Sequence, residues 1–303
     1  MAAVTRFLAL GAFLQEPTAG PSGFAFHADI ARLLERGRFD AVLVADDPAA
    51  KGLFEPLTLL SALSTVTRHI GLVGTVGTTG RQPYHVARKF ASLDHLSHGR
   101  AGWQADRGED HGRADEFADV VRQLWDSFSD KAMIRDVATA RYYDPDQLRT
   151  PEHRGEHFRV RGPLNISRPP QGHPVVFVTG TGPGFAARHG DVFLVSRPDV
   201  ATAIAIRAAV EAAGRKPAQI RVWAQLFPLE AGTPEQLADR MQEWFTEGAA
   251  DGFTVSFPSL PGPAIDFVRQ VVPILRRRGL VPDGYHGTTL RENLGLARPE
   301  VTR

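Results

Sequence analysis

The sequence predicts an α/β protein folded as a (β/α)8 TIM barrel. Eight short runs rich in Val, Leu, Ile and Phe recur along the 303 residues, and helical spacing of apolar residues follows most of them. Strands of this kind are typical of parallel sheets that are covered on both faces. Because the alternation continues throughout and no Pro/Ser-rich linker interrupts it, we expect residues 1–303 to form one barrel domain rather than a doubly wound sheet.

The eight predicted strands are short apolar segments. They are Arg6–Leu14, Phe39–Asp46, Ile70–Thr78, Ala101–Ala105, Val175–Gly180, Asp191–Ser196, Ile220–Leu229 and Gly252–Phe257. The third leads through Pro83 into an amphipathic helix, and Gly99 precedes the next strand, which is the pattern of a βαβ unit. The small residues at the end of the third strand would let a flat or bulky group approach the backbone closely.

Helical patterns lie between the strands. They cover His27–Arg36, Glu55–Arg68, Tyr84–Leu96, Ala114–Phe128, Val200–Ala213, Pro234–Thr246 and Ala264–Arg278, whereas Gly184–His189, after the fifth strand, is barely helical in pattern. Thr233, Pro234 and Gln236 combine a capping hydroxyl, a first-turn proline and a capping-box side chain, which predicts a helix start. Residues 130–173 fit neither pattern, so we expect an irregular insertion before the fifth strand, with a small hairpin within His153–Ser167. Its Tyr and Phe residues favour an ordered covering segment.

Composition and charge exclude several classes of partner. Lys plus Arg (35) nearly balance Asp plus Glu (34), so we expect neither nucleic acid nor an anionic membrane as a partner. The absence of cysteine excludes disulfides and thiolate catalysis and fits a cytoplasmic protein. The apolar N-terminal run passes into Gln15, Glu16 and Pro17, which favours a first strand over a signal peptide. No apolar stretch is long enough to span a bilayer.

In a barrel of this class, functional residues lie at the carboxyl ends of the strands. Here those positions carry mostly neutral polar side chains, among them Thr78 and Gln104, and few groups able to act as general acid or base. A hydrolase or an aldolase would normally place a histidine, a lysine or paired carboxylates there. The pattern therefore favours a site in which a bound cofactor supplies the chemistry, and it identifies no catalytic residue.

A glycine-rich turn after the fifth strand is the main candidate for binding phosphate. Its residues Thr179, Gly180, Thr181 and Gly182 offer backbone N–H groups and two hydroxyls. The alternative is an ordinary Gly/Pro turn, since such turns are common. No Walker lysine follows and the GxGxxG motif is absent, which weakens the nucleoside triphosphate and Rossmann interpretations.

For two other residues, a binding role and a structural role are both consistent with the sequence. Asp46 could orient a polar group on a ligand, but aspartate is equally common as a helix cap or turn residue. Trp103, beside Gln104, could line a pocket, although a buried core tryptophan is more common. The 11 histidines show no metal-ligand spacing, so we expect no metal site.

Long phrases of the sequence resemble the bacterial-luciferase-like flavin monooxygenases. The resemblance is greatest to the branch of nitrilotriacetate, dibenzothiophene-sulfone and pristinamycin monooxygenases, and it runs in order from Leu8 to Leu296. The phrases include FDAVLVAD, EPLTLLSALSTVTRHIGL, GTVGTTGRQPYHVARKFASLDHLSHGRAGW and RADEFADVVRQLWDSF.

The resemblance implies a monooxygenase that takes reduced FMN from a separate NAD(P)H-dependent flavin reductase and uses O₂ to oxygenate a small organic substrate. Carried over by motif, Asp46 would lie near the flavin and Thr78 would contact its ring or ribityl chain. Gln104 occupies the place of an Asn in the branch, and Thr181 occupies the place of phosphate-binding serines. Family members usually form homodimers or larger assemblies, so a dimer or tetramer is expected.

The chain also departs from the branch that it resembles. It is shorter, and the shortening falls after the first, second, fourth and seventh strands, where the functional face would lie. The family's Tyr before Arg113 is also absent. Three functions remain open: an FMN-dependent monooxygenase as the leading hypothesis, a degenerate barrel that binds flavin or a partner without turnover, and a deazaflavin-dependent oxidoreductase.

Overall fold

The computed structural model describes residues 6–17, 22–46, 54–180, 183–228 and 232–301. Eight parallel strands close into a barrel, which confirms the predicted (β/α)8 architecture. These strands are β1 Ala9–Phe13, β2 Ala41–Val44, β3 Gly71–Gly77, β4 Ala101–Asp106, β9 Val175–Thr179, β10 Val192–Val195, β11 Arg221–Leu226 and β12 Gly252–Val255. Each overlaps one predicted strand.

The helices pack around the barrel in the predicted order. They are α1 Phe24–Arg36, α2 Pro56–Ser64, α3 Pro83–Leu96, α4 His111–Trp125, α5 Pro183–His189, α6 Val200–Ala212, α7 Pro234–Thr246, α8 Gly262–Asp266 and α9 Val272–Arg277. The predicted capping box is confirmed, because the Thr233 hydroxyl accepts a hydrogen bond from the Gln236 N–H. None of the helices in the described part of the chain is long and apolar enough to cross a membrane.

Two predicted helices differ from the structure for local reasons. The helix predicted to reach Arg68 ends at Ser64, since the Arg100 guanidinium donates to the carbonyls of Ser64 and Thr67 and holds the following residues in a turn. A π-helical turn, Phe267–Val271, separates α8 from α9. Pro273 lies just beyond it and has no N–H to continue the regular hydrogen-bond ladder.

The insertion between β4 and β9 is more regular than predicted. It contains two antiparallel hairpins, β5 Met133–Asp136 with β6 Arg141–Tyr143, and β7 His153–Arg154 with β8 Arg159–Val160. The second hairpin confirms the prediction within His153–Ser167, whereas the first corrects the expectation of an irregular segment. The Glu116 carboxylate fixes the second hairpin to α4 by accepting hydrogen bonds from the N–H groups of His157 (2.8 Å) and Phe158 (2.9 Å).

A short C-terminal helix closes the amino-terminal end of the barrel. This helix, α10 Leu290–Asn293, was not predicted. Leu290, Leu294 and Leu296 are buried with the inward-facing residues of the strands and form one apolar cluster with them. Arg291 binds the buried Asp191, which precedes β10, at 2.8 and 3.2 Å. The helix is therefore tied to the barrel by apolar packing and a buried ion pair.

We expect stability to depend on pH through His189, which ends α5 and is 3% exposed. Burial, assisted by the charge of Arg122, lowers the pKa of its imidazole from 6.5 to about 4. The unfolded chain therefore takes up this proton near pH 6.5, whereas the folded protein does so only near pH 4. Stability that is fully present above pH 6.5 is lost as the pH falls, by about 2 kcal/mol between pH 7 and pH 5.

Urea unfolding of the wild type and of His189→Gln at pH 7 and pH 5 measures this contribution. The variant should lose less stability than the wild type over the same interval. The difference between the proteins is the correct readout, because Asp94 contributes with the opposite sign: burial raises the pKa of its carboxyl to about 6. Equal pH dependence in the two proteins would contradict the role of His189.

Candidate functional site

The carboxyl ends of the strands form the barrel mouth. On the β3–β4 wall of the mouth, successive side chains point alternately outward and into the barrel. Trp103 of β4 faces outward; its ring is fully buried, and its Nε1 donates to the Val76 carbonyl at 2.9 Å. Trp103 is thus a buried core tryptophan and does not line a pocket. Gln104, next in sequence, faces the barrel interior. The parallel register places it beside Thr75 of β3 and Phe177 of β9.

Below the mouth, the interior is closed by aromatic rings. Phe177 and Trp223 are both fully buried, and their ring centroids lie 5.6 Å apart in a perpendicular arrangement. Gly11 makes room for the indole, because a Cβ on Gly11 would lie 2.7 Å from the Trp223 ring. We call Phe177 and Trp223 the barrel floor. A ligand in the mouth would therefore rest on an aromatic surface, in which the Trp223 indole N–H is buried without a partner among the described residues.

Three inward-facing side chains just above the floor carry polar atoms without partners. Thr75 Oγ1, Gln104 Oε1 and Thr254 Oγ1 are buried and have no hydrogen-bond partner among the described residues. A buried polar atom left without a partner costs about 1–3 kcal/mol. Native proteins usually satisfy such atoms with water or with a ligand. Because each of these atoms is covered by its neighbours, a change of side-chain rotamer would present the amide and the two hydroxyls to a molecule bound in the mouth.

Thr78 joins the loops that follow β3 and β4. It is 1% exposed, and its N–H donates to the Asp106 carbonyl at 2.9 Å. Its hydroxyl donates to the Arg107 carbonyl at 3.0 Å, and its own carbonyl accepts from Arg113. The hydroxyl proton is thus used within the protein. Direct contact of Thr78 with a cofactor stays a prediction.

The remaining predicted site residues lie on the same wall of the barrel or outside the described residues. Asp46 is exposed two residues after β2, and Arg81 binds its carboxylate at 3.0 Å. Thr179 and Gly180 are exposed at the end of β9, and Gly180 has a φ of +135°, which favours glycine. Thr181 and Gly182 lie outside the described residues. The structure thus brings Asp46, Thr78, Gln104, Thr179 and Gly180 to neighbouring strand ends.

The sequence reasoning missed three residues of this face: Thr75, Thr254 and Arg107. Thr75 lies two residues after the inward-facing Val73, and Thr254 lies two residues after the inward-facing Gly252. The period of two along a strand could have identified both. Arg107 follows β4 directly, and only the structure shows that its guanidinium lies near Gly180.

The strongly perturbed acid Asp94 does not belong to the mouth. It lies on α3 and accepts hydrogen bonds from Ala101 N–H, at the start of β4, and from the Gln171 amide. Two cavities of ≈ 730 and ≈ 1070 Å³ also lie at the amino-terminal side of the barrel; Asp40 and Asp251 line the smaller one, and Asp191 and Arg291 line the larger one. These charged groups hold the lower part of the barrel together through ion pairs.

Comparison with known proteins gives a consistent set of matches. The family model for luciferase-like monooxygenase matches residues 6–270. One subunit of pristinamycin IIA synthase from Streptomyces pristinaespiralis is 43% identical over 273 aligned positions, which cover 89% of this chain and 88% of the relative. The other subunit of that enzyme is 36% identical over 398 aligned positions, with 91% of this chain and 90% of the relative covered. The structure of EDTA monooxygenase from Chelativorans sp. BNC1 superposes with a TM-score of 0.87 at 25% identity, covering 98% of this chain and 100% of that chain.

The two subunits of pristinamycin IIA synthase differ in how they align. The alignment with the 36% identical subunit extends over 398 positions, which exceeds the 303 residues of this chain, so that subunit contains segments that are missing here. The alignment with the 43% identical subunit extends over only 273 positions, and we call this relative the compact synthase subunit. The shortened form of this chain is therefore shared with the compact synthase subunit.

Proposed function

This chain belongs to the luciferase-like monooxygenase family, and from this we propose that it binds reduced FMN in the barrel mouth and oxygenates a small organic substrate with O₂. The predictions of the family, of an enzyme and of flavin-dependent monooxygenase chemistry are confirmed at the level of the family. We propose, in addition, that the flavin is FMN and that the residues of the barrel mouth hold it.

The three unpartnered polar atoms of Thr75, Gln104 and Thr254 carry the proposal. A reduced isoalloxazine ring system is broad, only slightly bent and largely apolar on its faces, with N–H donors and carbonyl acceptors on its edges. The Gln104 Oε1 would accept from a ring N–H, while the hydroxyls of Thr75 and Thr254 would donate to ring carbonyls. The barrel floor supplies an aromatic surface beneath. The residues present therefore fit a flavin.

The side chains of this site bind and orient a cofactor and do not themselves react. Reduced FMN, when bound, supplies the electrons that activate O₂. Phe177 and Trp223 exclude water from below the mouth, since both are fully buried. Gln104 fixes the orientation of a ring through one amide, which is held on a rigid barrel strand.

We also propose the partners that this chemistry requires. The absence of a GxGxxG motif in the sequence supports a separate NAD(P)H-dependent flavin reductase as the source of reduced FMN. A homodimer or tetramer and a cytoplasmic location complete the proposal; the lack of cysteine supports the location.

A second candidate function is a subunit that binds flavin or a longer luciferase-like chain without turnover of its own. The observation that favours it is the 43% identity with the compact synthase subunit, which belongs to an enzyme that also has a longer subunit similar to this chain. The deazaflavin-dependent oxidoreductase stays a third hypothesis, with no feature of the site that favours it over FMN.

Anaerobic titration of the purified chain with reduced FMN tests the proposal. We expect saturable binding and then, once O₂ is admitted, oxidation of the bound flavin at a rate that differs from that of free reduced FMN. Binding with an unaltered rate of oxidation would favour the second candidate. If the chain binds neither oxidised nor reduced FMN, the proposed flavin function is refuted.

A further inference from the structure

We propose that the larger cavity at the amino-terminal side of the barrel binds a phosphate group, either as inorganic phosphate or on a small phosphorylated molecule. This cavity of ≈ 1070 Å³ is lined by Arg122, Arg215, Lys216, Arg291 and Asp191, among others, and we call it the basic cavity. It lies at the end of the barrel opposite the mouth, so the inference does not depend on the proposed flavin site.

The most buried part of the wall of the basic cavity holds three guanidiniums and one carboxylate. Arg291 binds Asp191 through two hydrogen bonds, at 2.8 and 3.2 Å, and Arg215 approaches the same carboxylate to 3.9 Å. Arg122 Nη1 donates to the Arg188 carbonyl at 3.1 Å. Among the described residues, no carboxylate forms an ion pair with Arg122. One negative charge therefore faces three positive charges.

The three guanidiniums lie close enough for their charges to act on one another. Burial lowers the pKa of the Arg215 guanidinium; Asp191 opposes this change, and the charges of Arg122 and Arg291 lower the pKa further. Burial also lowers the pKa of His173, another residue of the cavity wall, and the same two arginines add to this effect. An anion bound among these guanidiniums would relieve their mutual repulsion.

The alternative is that these arginines only cap the ends of helices. Helix C-termini attract cations, and α5 ends at the cavity. Both free guanidiniums use part of their donors there: Arg122 donates to the Arg188 carbonyl, and Arg215 donates to the Ala187 carbonyl at 2.9 Å. Each guanidinium has five N–H donors, so these bonds leave donors for a ligand.

The size of the charges argues against capping as the whole explanation. A helix C-terminus is equivalent to about half a negative charge, so the ends of α4, α5 and α6 together would offset about 1.5 positive charges. The buried wall carries a surplus of two, and Lys216 adds a third at the exposed rim. Asp119 and Glu300 also line the cavity, but both are exposed and water screens their charges. A positive surplus remains.

The arrangement of the guanidiniums favours phosphate over a carboxylate ligand. They come from three parts of the chain, since Arg122 is on α4, Arg215 follows α6 and Arg291 is on α10. A carboxylate can be satisfied by one guanidinium, as Asp191 is by Arg291. A phosphate presents oxygens in several directions and can accept from several guanidiniums at once. The volume also admits a small molecule that carries the phosphate.

Isothermal titration calorimetry of the full chain tests the proposal, with inorganic phosphate, adenosine monophosphate and adenosine as probes. The ionic strength is held constant with NaCl, because salt screens charge interactions. We expect saturable binding of phosphate or of adenosine monophosphate and none of adenosine. Tighter binding of adenosine monophosphate would identify a phosphorylated small molecule as the ligand, and tighter binding of phosphate would identify the inorganic anion.

Four variants locate the binding site. Arg122→Gln should weaken the binding of phosphate about tenfold to a hundredfold, and Arg122→Lys should retain part of the affinity. Lys216→Gln should weaken binding less, since an exposed charge contributes less. Lys216 is at the surface, so this variant keeps the test valid if Arg122→Gln fails to fold. Arg197→Gln is the control, because it removes an exposed charge after β10, at the opposite end of the barrel.

Three results would overturn the proposal. The first is a wild type that binds neither phosphate nor adenosine monophosphate. The second is unchanged affinity in both Arg122→Gln and Lys216→Gln; a lower melting temperature of Arg122→Gln would then assign Arg122 to helix capping alone. The third is an equal loss of affinity in Arg197→Gln, which would assign the effect to the overall charge of the protein. Each of these results leaves the proposed flavin function untouched.

Discussion

Arg291→Ala should lower the free energy of unfolding by about 3–5 kcal/mol, since it removes the nearest charge partner of a buried carboxylate. Arg291 is 4% exposed and binds Asp191, which is also 4% exposed. Although burial alone would raise the pKa of the Asp191 carboxyl, the charge and hydrogen bonds of Arg291 hold it below its ordinary value. Arg291 also donates to the His173 carbonyl, so its loss loosens α10 from the barrel.

Urea unfolding at several pH values provides a specific signature for this pair. In the wild type, the depressed pKa of Asp191 contributes stability that is present at neutral pH and is lost as the pH falls below 3.8 toward the folded pKa. In Arg291→Ala, burial is opposed, among the described residues, only by the Val176 N–H and by the charges of Arg122 and Arg215, so the pKa of Asp191 should rise. The variant should therefore regain part of its stability relative to the wild type as the pH is lowered from 7 to 5.

Arg298→Ala is the matched control for Arg291→Ala. Arg298 lies in the same C-terminal segment and binds Asp130, but both side chains are nearly half-exposed. Exposed ion pairs contribute about 0–1 kcal/mol, so this variant should unfold almost as the wild type does. Similar losses in the two variants would show that attachment of the segment, rather than the buried charge, determines stability.

Gln104→Leu should stabilise the ligand-free protein and weaken flavin binding. The buried Oε1 of Gln104 has no partner within the described residues, so its removal relieves an unsatisfied acceptor and should raise stability by about 1 kcal/mol. The same change removes the amide proposed to bind the flavin ring, which should weaken reduced FMN and reduced riboflavin alike by about tenfold to a hundredfold.

Thermal unfolding without ligand and flavin titration measure the two effects. Gln171→Leu is the control, because Gln171 is also buried but its amide binds Asp94 and the Ala101 carbonyl at the opposite end of the barrel. It should destabilise the protein. If Gln104→Leu also destabilises the ligand-free protein and leaves flavin affinity unchanged, Gln104 belongs to the core rather than to the site.

The sequence predicted the barrel because buried parallel strands and amphipathic helices alternate with a strong, local pattern. Elements defined by distant contacts were missed. The β5–β6 hairpin has largely exposed residues and therefore little apolar alternation. The α10 helix is one short turn, and its position depends on Asp191, 100 residues away. Neither leaves a periodic signal in the chain.

The candidate site divides in the same way. Strand ends and a glycine-rich turn can be read from the sequence, so Asp46, Thr78, Gln104 and the Thr179–Gly182 turn were identified as candidates, with roles that stay predictions. The partners of each side chain could not be identified, because register determines which residues of neighbouring strands meet. That Thr78 holds Arg107, and that Gln104 lies beside Thr75 without a partner, follows only from the packed barrel.

By itself, the sequence determined that this protein is a (β/α)8 barrel of the luciferase-like family with a shortened functional face. Spacing and motifs are properties of the chain and need no folded partner. Only the tertiary structure decided which polar atoms lack partners in the barrel mouth and which arginine lies near Gly180. The physical reason is that burial, ion pairing and close contact between side chains depend on residues that are distant in the sequence and meet only when the barrel forms.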